Sequence, residues 1–194
     1  MIDTSWLGTA IDVRPQLVDL QTALIDLLRR FTPDEWDRPT VCPGWSVKDV
    51  AAHLLGDYVG RLSLHRDRFQ VLRPRADEAF PAFLDRINEE WGTASRRVSP
   101  PLLVDLLSVV SDELVRFWRT VDLDAVGASE YWAGPEPHPS WLDLAREYTE
   151  YWTHQQQIRK ATARPGLTKS RYLGSSTHSY VSCRTRCASW SASW

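Results

Sequence analysis

Pro43-Gly44-Trp45-Ser46-Val47-Lys48-Asp49-Val50-Ala51-Ala52-His53-Leu54-Leu55 reads as a tight turn feeding a helix. Gly44 allows the bend, Ser46 is a good N-cap, and Asp49 stands three residues later, where a capping-box acid belongs. His53 is therefore predicted about two turns inside a helix. Its neighbours Val50, Ala51, Leu54 and Leu55 are apolar, so the imidazole should point at least partly into the protein. A buried imidazole needs a hydrogen-bond partner or a metal. Function therefore turns on what His53 faces.

Outward from this stretch the chain is helical in pattern. Toward the N-terminus, Leu17, Leu20, Leu24, Leu27, Leu28 and Phe31 form one apolar stripe, predicting an amphipathic helix over 13–31. Thr32-Pro33-Asp34-Glu35 supplies an N-cap, a first-turn proline and a capping-box glutamate for a short helix ending near Asp37. The His53 helix should run to about Phe69, with Leu55, Val59 and Leu62 continuing its apolar side. Its far end carries Arg61, His65, Arg66, Asp67 and Arg68, which read as solvated.

Beyond a loop at Arg73-Pro74-Arg75, the spacing of Phe80, Phe83, Leu84, Ile87 and Trp91 predicts a helix over 77–97. Ser99-Pro100-Pro101 opens another, with Leu103, Leu106, Leu107, Val110, Leu114 and Phe117 as its stripe, up to about Thr120. Residues 121–140 are rich in Gly, Pro and aromatics and read as irregular, able to line a pocket mouth. Ser140 and Asp143 repeat the capping-box pattern before a last long helix over 141–163, stopped by Pro165-Gly166. No period-two strand pattern is visible. From Gly174 the composition changes: residues 175–194 contain no Leu, Ile, Asp or Glu and are mainly Ser, Thr, Arg, Cys and Trp. The expected organisation is a helical bundle over 1–173 and, over 174–194, an aberrant or disordered tail of the kind a frameshift produces.

With 194 residues, 43% of them hydrophobic, the chain has room for one well-packed domain. A net charge of -2 supplies no field for wrapping nucleic acid or holding an anionic membrane surface, and no apolar run approaches a membrane span. The start of the chain lacks the basic-then-apolar pattern of a signal peptide, so a cytoplasmic protein acting on a small molecule is expected. Its oligomeric state is not legible. Three cysteines make no disulfide framework, since Cys42 stands alone and only Cys183 and Cys187 are close in sequence.

Glu150 and His154 are four residues apart on the last helix, so they share one face. If the long helices form a bundle, His53 can meet them in its interior. Two imidazoles and a carboxylate projected from facing helices are a bundle's way of holding a divalent ion, with coordination positions left for water or substrate. The plain alternative is a hydrogen-bonded core histidine at position 53 and a surface pair at 150 and 154 on a polar face with Gln155, Gln156 and Gln157. Under that alternative the chain is a non-catalytic helical binding or interaction module. Glu147, one turn before Glu150, is a substitute or outer acid; His65, His138 and His178 read as solvated or loop residues. Cys42 reads as a small buried hydrophobe in preference to a nucleophile.

Trp36, then Thr40-x-Cys42-x-Gly44-Trp45-Ser46-Val47-x-Asp49-Val50-x-x-His53-Leu54, then Glu150-x-x-x-His154, resembles the mycothiol-dependent maleylpyruvate isomerase family within the DinB-like metalloenzyme superfamily. The resemblance covers about residues 10–173. It implies an all-α, DinB-like four-helix bundle, here with extra short helices and an irregular C-terminal tail. It also implies a divalent metal, usually zinc, on His53, Glu150 and His154, and mycothiol or a similar low-molecular-weight thiol as cofactor. The activity it implies is isomerase or transferase, the thiolate adding to an electrophilic small molecule such as the cis alkene of maleylpyruvate and leaving after rotation. No further catalytic or cofactor-binding residue is assigned. Isomerase-type members continue into a smaller C-terminal α/β domain, where this chain has its Ser, Trp and Cys tail.

Overall fold

The apolar stripes build four long helices that pack side by side, as seen in a computed structural model that describes residues 10–129 and 137–168. The described elements run in the order α1 (Arg14–Leu28), α2 (Pro33–Trp36), α3 (Val47–Arg61), α4 (Phe80–Ser95), α5 (Pro100–Thr120), β1 (Val126–Ser129), β2 (Pro137–Pro139) and α6 (Ser140–Ala161). Helices α1, α3, α5 and α6 form the bundle, and α4 lies against the outside of α3. The architecture is all-α, as expected. The tail over 174–194, with Cys183, Cys187 and His178, lies outside the described residues, as do residues 130–136.

The core follows the stripes. Leu17, Leu20, Leu24 and Leu28 of α1 meet Val50 and Leu54 of α3, Leu103, Leu107 and Leu114 of α5, and Leu144, Tyr148, Tyr151 and Ile158 of α6. On α5 the seam swings toward Val104 and Trp118, leaving Leu106 exposed on the outer side. Helix α4 is keyed to α3 by one close approach. The Trp91 indole N–H donates to the Ala52 carbonyl at 2.7 Å, and its ring crosses α3 at Gly56, where an added Cβ would fall 2.5 Å from Nε1. Only a glycine leaves that space.

Several expectations are corrected. The segment 121–140 was expected to be irregular, yet it contains an antiparallel ribbon of β1 and β2, pairing Val126 with Pro139 and Ser129 with Pro137. On β2, His138 is buried rather than solvated. The Ser140–Asp143 capping box is not made: Ser140 Oγ donates to the Ala125 carbonyl at 3.2 Å, while Asp143 accepts from Arg61 at 2.6 Å. Helix α3 does not run regularly to Phe69 but loosens into a π-helical turn over Leu62–Arg66, of which Leu62 stays in the core. Arg61, expected in solvent, has its side chain only 8% exposed between α3 and α6. No described helix is long and apolar enough to cross a membrane.

Candidate metal centre

The site begins with the loop that enters α3. The Trp45 N–H donates to the Cys42 carbonyl at 3.1 Å, closing a turn with Pro43 and Gly44 as its central residues. Gly44 has φ +77°, so the turn is of the type that takes proline first and a left-handed glycine second. Thr40 N–H then donates to the Trp45 carbonyl at 3.0 Å, and Val47 N–H to that of Arg38 at 2.9 Å, which folds the loop back on itself. The capping box forms in full: Asp49 N–H donates to Ser46 Oγ at 3.2 Å, and Ser46 N–H to Asp49 Oδ2 at 2.9 Å. Such a cap is worth about 1 kcal/mol to the helix. It sets the start of α3, and hence the direction in which His53 leaves it.

Across the bundle interior, α6 presents Glu150 and His154 to the same space. One donor atom each from His53, Glu150 and His154 lies within 4.8 Å of the others. His154 Nε2 is 2.8 Å from Glu150 Oε1, and His53 Nε2 is 3.7 Å from the same oxygen. The two imidazoles meet edge to face at 4.8 Å between centroids, and the Trp45 indole backs His53 at 5.2 Å. The His53 and His154 side chains are 15% and 12% exposed, whereas that of Glu150 is 38% exposed. Solvent or a small molecule therefore reaches the cluster past the carboxylate.

Charge couples these groups. Burial pushes the Glu150 carboxyl upward, but the charge of His154 and hydrogen bonds from both histidines outweigh it and hold the carboxyl well below the usual carboxylate range. Burial likewise pushes His154 down. It is overcome by the Glu150 charge and by hydrogen bonds with Cys42, Glu150 and Gln157, which raise the imidazole to about 10. Without a cation, His154 and Glu150 are thus a charged pair at neutral pH.

The donor set suits a divalent ion. Three N/O ligands at about 2.0–2.2 Å from one tetrahedral centre stand about 3.3–3.6 Å from each other. The observed 2.8 and 3.7 Å bracket that spacing, and no two of the three donors stand more than 4.8 Å apart. Imidazole nitrogen and carboxylate oxygen are ligands that zinc and other divalent transition metals accept.

Other residues singled out from the sequence sit elsewhere. Glu147, considered as a substitute or outer acid, is fully buried and accepts from Arg61 Nη2 at 2.5 Å, and also from Arg146 and the Tyr151 hydroxyl. It belongs to a cross-helix ion-pair network. His65, read as solvated, is half-buried beside Arg61, with its Nε2 3.1 Å from Arg61 Nη1. Desolvation and the Arg61 charge lower it to about 4. Cys42 is half-buried at the edge of the candidate centre, its Sγ 3.2 Å from Gln157 Oε1. Gln157, which sequence reasoning placed on a plain polar face, also lies 2.7 Å from His154 Nδ1. Its spacing of three from His154 was the available signal, since that offset places both on one face.

An all-α bundle with a His/Glu/His cluster between its helices defines the class, a DinB-like domain with a candidate metal-binding group. The sequence profile of the mycothiol maleylpyruvate isomerase N-terminal domain matches residues 17–159, and the chain belongs to that family. The matched span contains all three clustered donors. Comparisons with curated proteins and with solved structures give no match.

Proposed function

We propose that this chain is the metal-binding domain of a thiol-dependent isomerase or transferase of the maleylpyruvate isomerase type. In this reading His53, Glu150 and His154 hold one divalent cation, zinc in the first instance, and the cofactor is mycothiol or a similar low-molecular-weight thiol. The observation that carries it is the convergence of the three donor atoms within 4.8 Å from two helices. Family membership supports the thiol and the electrophilic small-molecule substrate.

When bound, such a cation would acidify a thiol beside it toward the nucleophilic thiolate. The chain's own residues prepare the place. His53 and His154 supply neutral nitrogen donors, each fixed by its helix. Glu150 supplies the compensating charge and stands at the exposed side, where a substrate would enter. Trp45 packs on His53 and restricts its rotation. The apolar core beneath, from Val50 and Leu54, keeps bulk water from the inner side of the cluster.

A second reading has its own observation: Glu150 already accepts from His154 at 2.8 Å, as a purely structural hydrogen-bond network would. Elemental analysis after mild chelation and zinc reloading separates the two. The expected result is one tightly held ion per chain in the parent, and none at stoichiometric level in His53→Ala or His154→Ala. Full occupancy in either variant would remove that residue from the ligand set. No ion in the parent would favour the structural network.

A further inference from the structure

The Cys42–Trp45 turn and the last turns of α6 meet at one atom, the side-chain oxygen of Gln157. Its Oε1 lies 2.7 Å from His154 Nδ1 and 3.2 Å from Cys42 Sγ. A carboxamide oxygen has two lone pairs and no proton, so it can accept from an imidazole N–H and a thiol S–H together. The reverse placement would aim an amide N–H₂ at both neighbours, forcing the proton of a neutral His154 onto Nε2, the nitrogen that faces Glu150 Oε1 at 2.8 Å. That tautomer has no lone pair to offer a cation.

We propose that Gln157, held in place by the Cys42 thiol, is a positioning residue: it fixes His154 in the Nδ1–H tautomer and aims Nε2 at the space shared with His53 and Glu150. The inference rests on the reading of those three residues as ligands. It assigns the Cys42 side chain an orienting role, from the face of His154 turned away from Glu150. It also gives the Pro43-Gly44 turn a purpose, because the backbone of that turn sets the thiol against α6. Oriented second partners of this kind typically alter metal affinity by about 10–100-fold when removed.

The test uses the full chain and zinc alone. Zinc affinity is measured by competition with a chromophoric chelator for the parent, Gln157→Ala, Gln157→Met, Gln157→Glu and Cys42→Ser. Long-range ¹H–¹⁵N spectra of the zinc-loaded proteins report which His154 nitrogen carries the proton. Gln157→Met keeps the side-chain length without the acceptor, which separates lost positioning from lost packing. The expected result is a loss of about 10–100-fold in Gln157→Ala and Gln157→Met at unchanged stoichiometry, with a mixed His154 tautomer signature. Gln157→Glu should restore parental or tighter binding, since its carboxylate accepts the same N–H, and Cys42→Ser should stay within a few-fold because a hydroxyl donates in place of the thiol. Parental affinity together with an undisturbed Nδ1–H signature in Gln157→Ala and Gln157→Met would overturn the inference alone. Zinc refused by the parent would overturn the ligand reading, and the inference with it.

Discussion

At the scale of single residues, His154 is where the candidate centre's chemistry is concentrated. It touches Glu150 through one nitrogen and Gln157 through the other, and in the cation-free chain it keeps its extra proton to about pH 10. For a raised histidine, stabilisation from the pair is complete below the ordinary value of 6.5 and is lost as pH rises through about 10. A cation on Nε2 needs that nitrogen unprotonated, so loading at neutral pH should expel about one proton per ion. Calorimetric titration with zinc in two buffers of different ionisation enthalpy measures this directly. The expected outcome is a buffer-dependent heat corresponding to release; a heat independent of buffer would mean that His154 is not displaced from its charged pair.

At the scale of elements, the helices α3 and α6 are joined at two levels, by the His/Glu/His cluster and by the ion pairs of Arg61. The latter reaches Asp143 at 2.6 Å and Glu147 at 2.5 Å, and its guanidinium lies 5.8 Å from the Trp118 ring centroid. Removing one side of a buried pair strands the other charge. Arg61→Met should therefore destabilise the chain by about 3 kcal/mol, near the low end for such losses because Arg146 still reaches Glu147. Urea denaturation checks the value, and a change below about 1 kcal/mol would mean that Arg146 alone neutralises Glu147. Arg61 also shows where sequence reading stops. The leucine stripes, the Pro43-Gly44 turn and the Ser46–Asp49 cap are written in local spacing, and they were legible. Arg61 looked solvated because nothing local announces that Asp143 and Glu147 lie across from it. The same long-range pairing takes Asp143 from its expected cap, and Gln157 gains the Cys42 thiol as a second partner only because a loop 115 residues away folds against it.

At the scale of the whole molecule, the carboxylates that fasten loops and helix ends are held ionised, which makes the fold sensitive to acid. The Arg86 guanidinium, aided by the Arg75 backbone N–H, holds Glu78 at about 2, against 4.5 in an unperturbed side chain. The Thr32 backbone N–H, against an opposing contribution from burial and with help from Arg164, lowers Glu35. For lowered carboxyls the stabilisation is present above the unperturbed value and lost as pH falls through the folded one. Melting temperatures of the parent and Glu78→Gln should differ most above pH 4.5, with the gap narrowing below it and closing near pH 2. A gap that persisted to pH 2 would mean that the contact works through packing and not charge. The overall bundle was legible at this scale because four long apolar stripes admit few other arrangements. The β1–β2 ribbon was not, since its two short strands carry no period-two pattern and are held by pairing with each other.

The cluster draws its donors from α3 and α6, and α6 is the last described helix. During synthesis, α1 to α5 leave the ribosome before Glu150 and His154 exist, and the seam around Leu20 and Leu54 waits uncovered until α6 arrives. A nascent chain has half a claw at most. Once α6 docks, the same motion that covers the seam brings the three donors together, so an ion held there would report that α6 is packed in place, and a chain lacking α6 would show the exposed leucines that chaperones and proteases inspect.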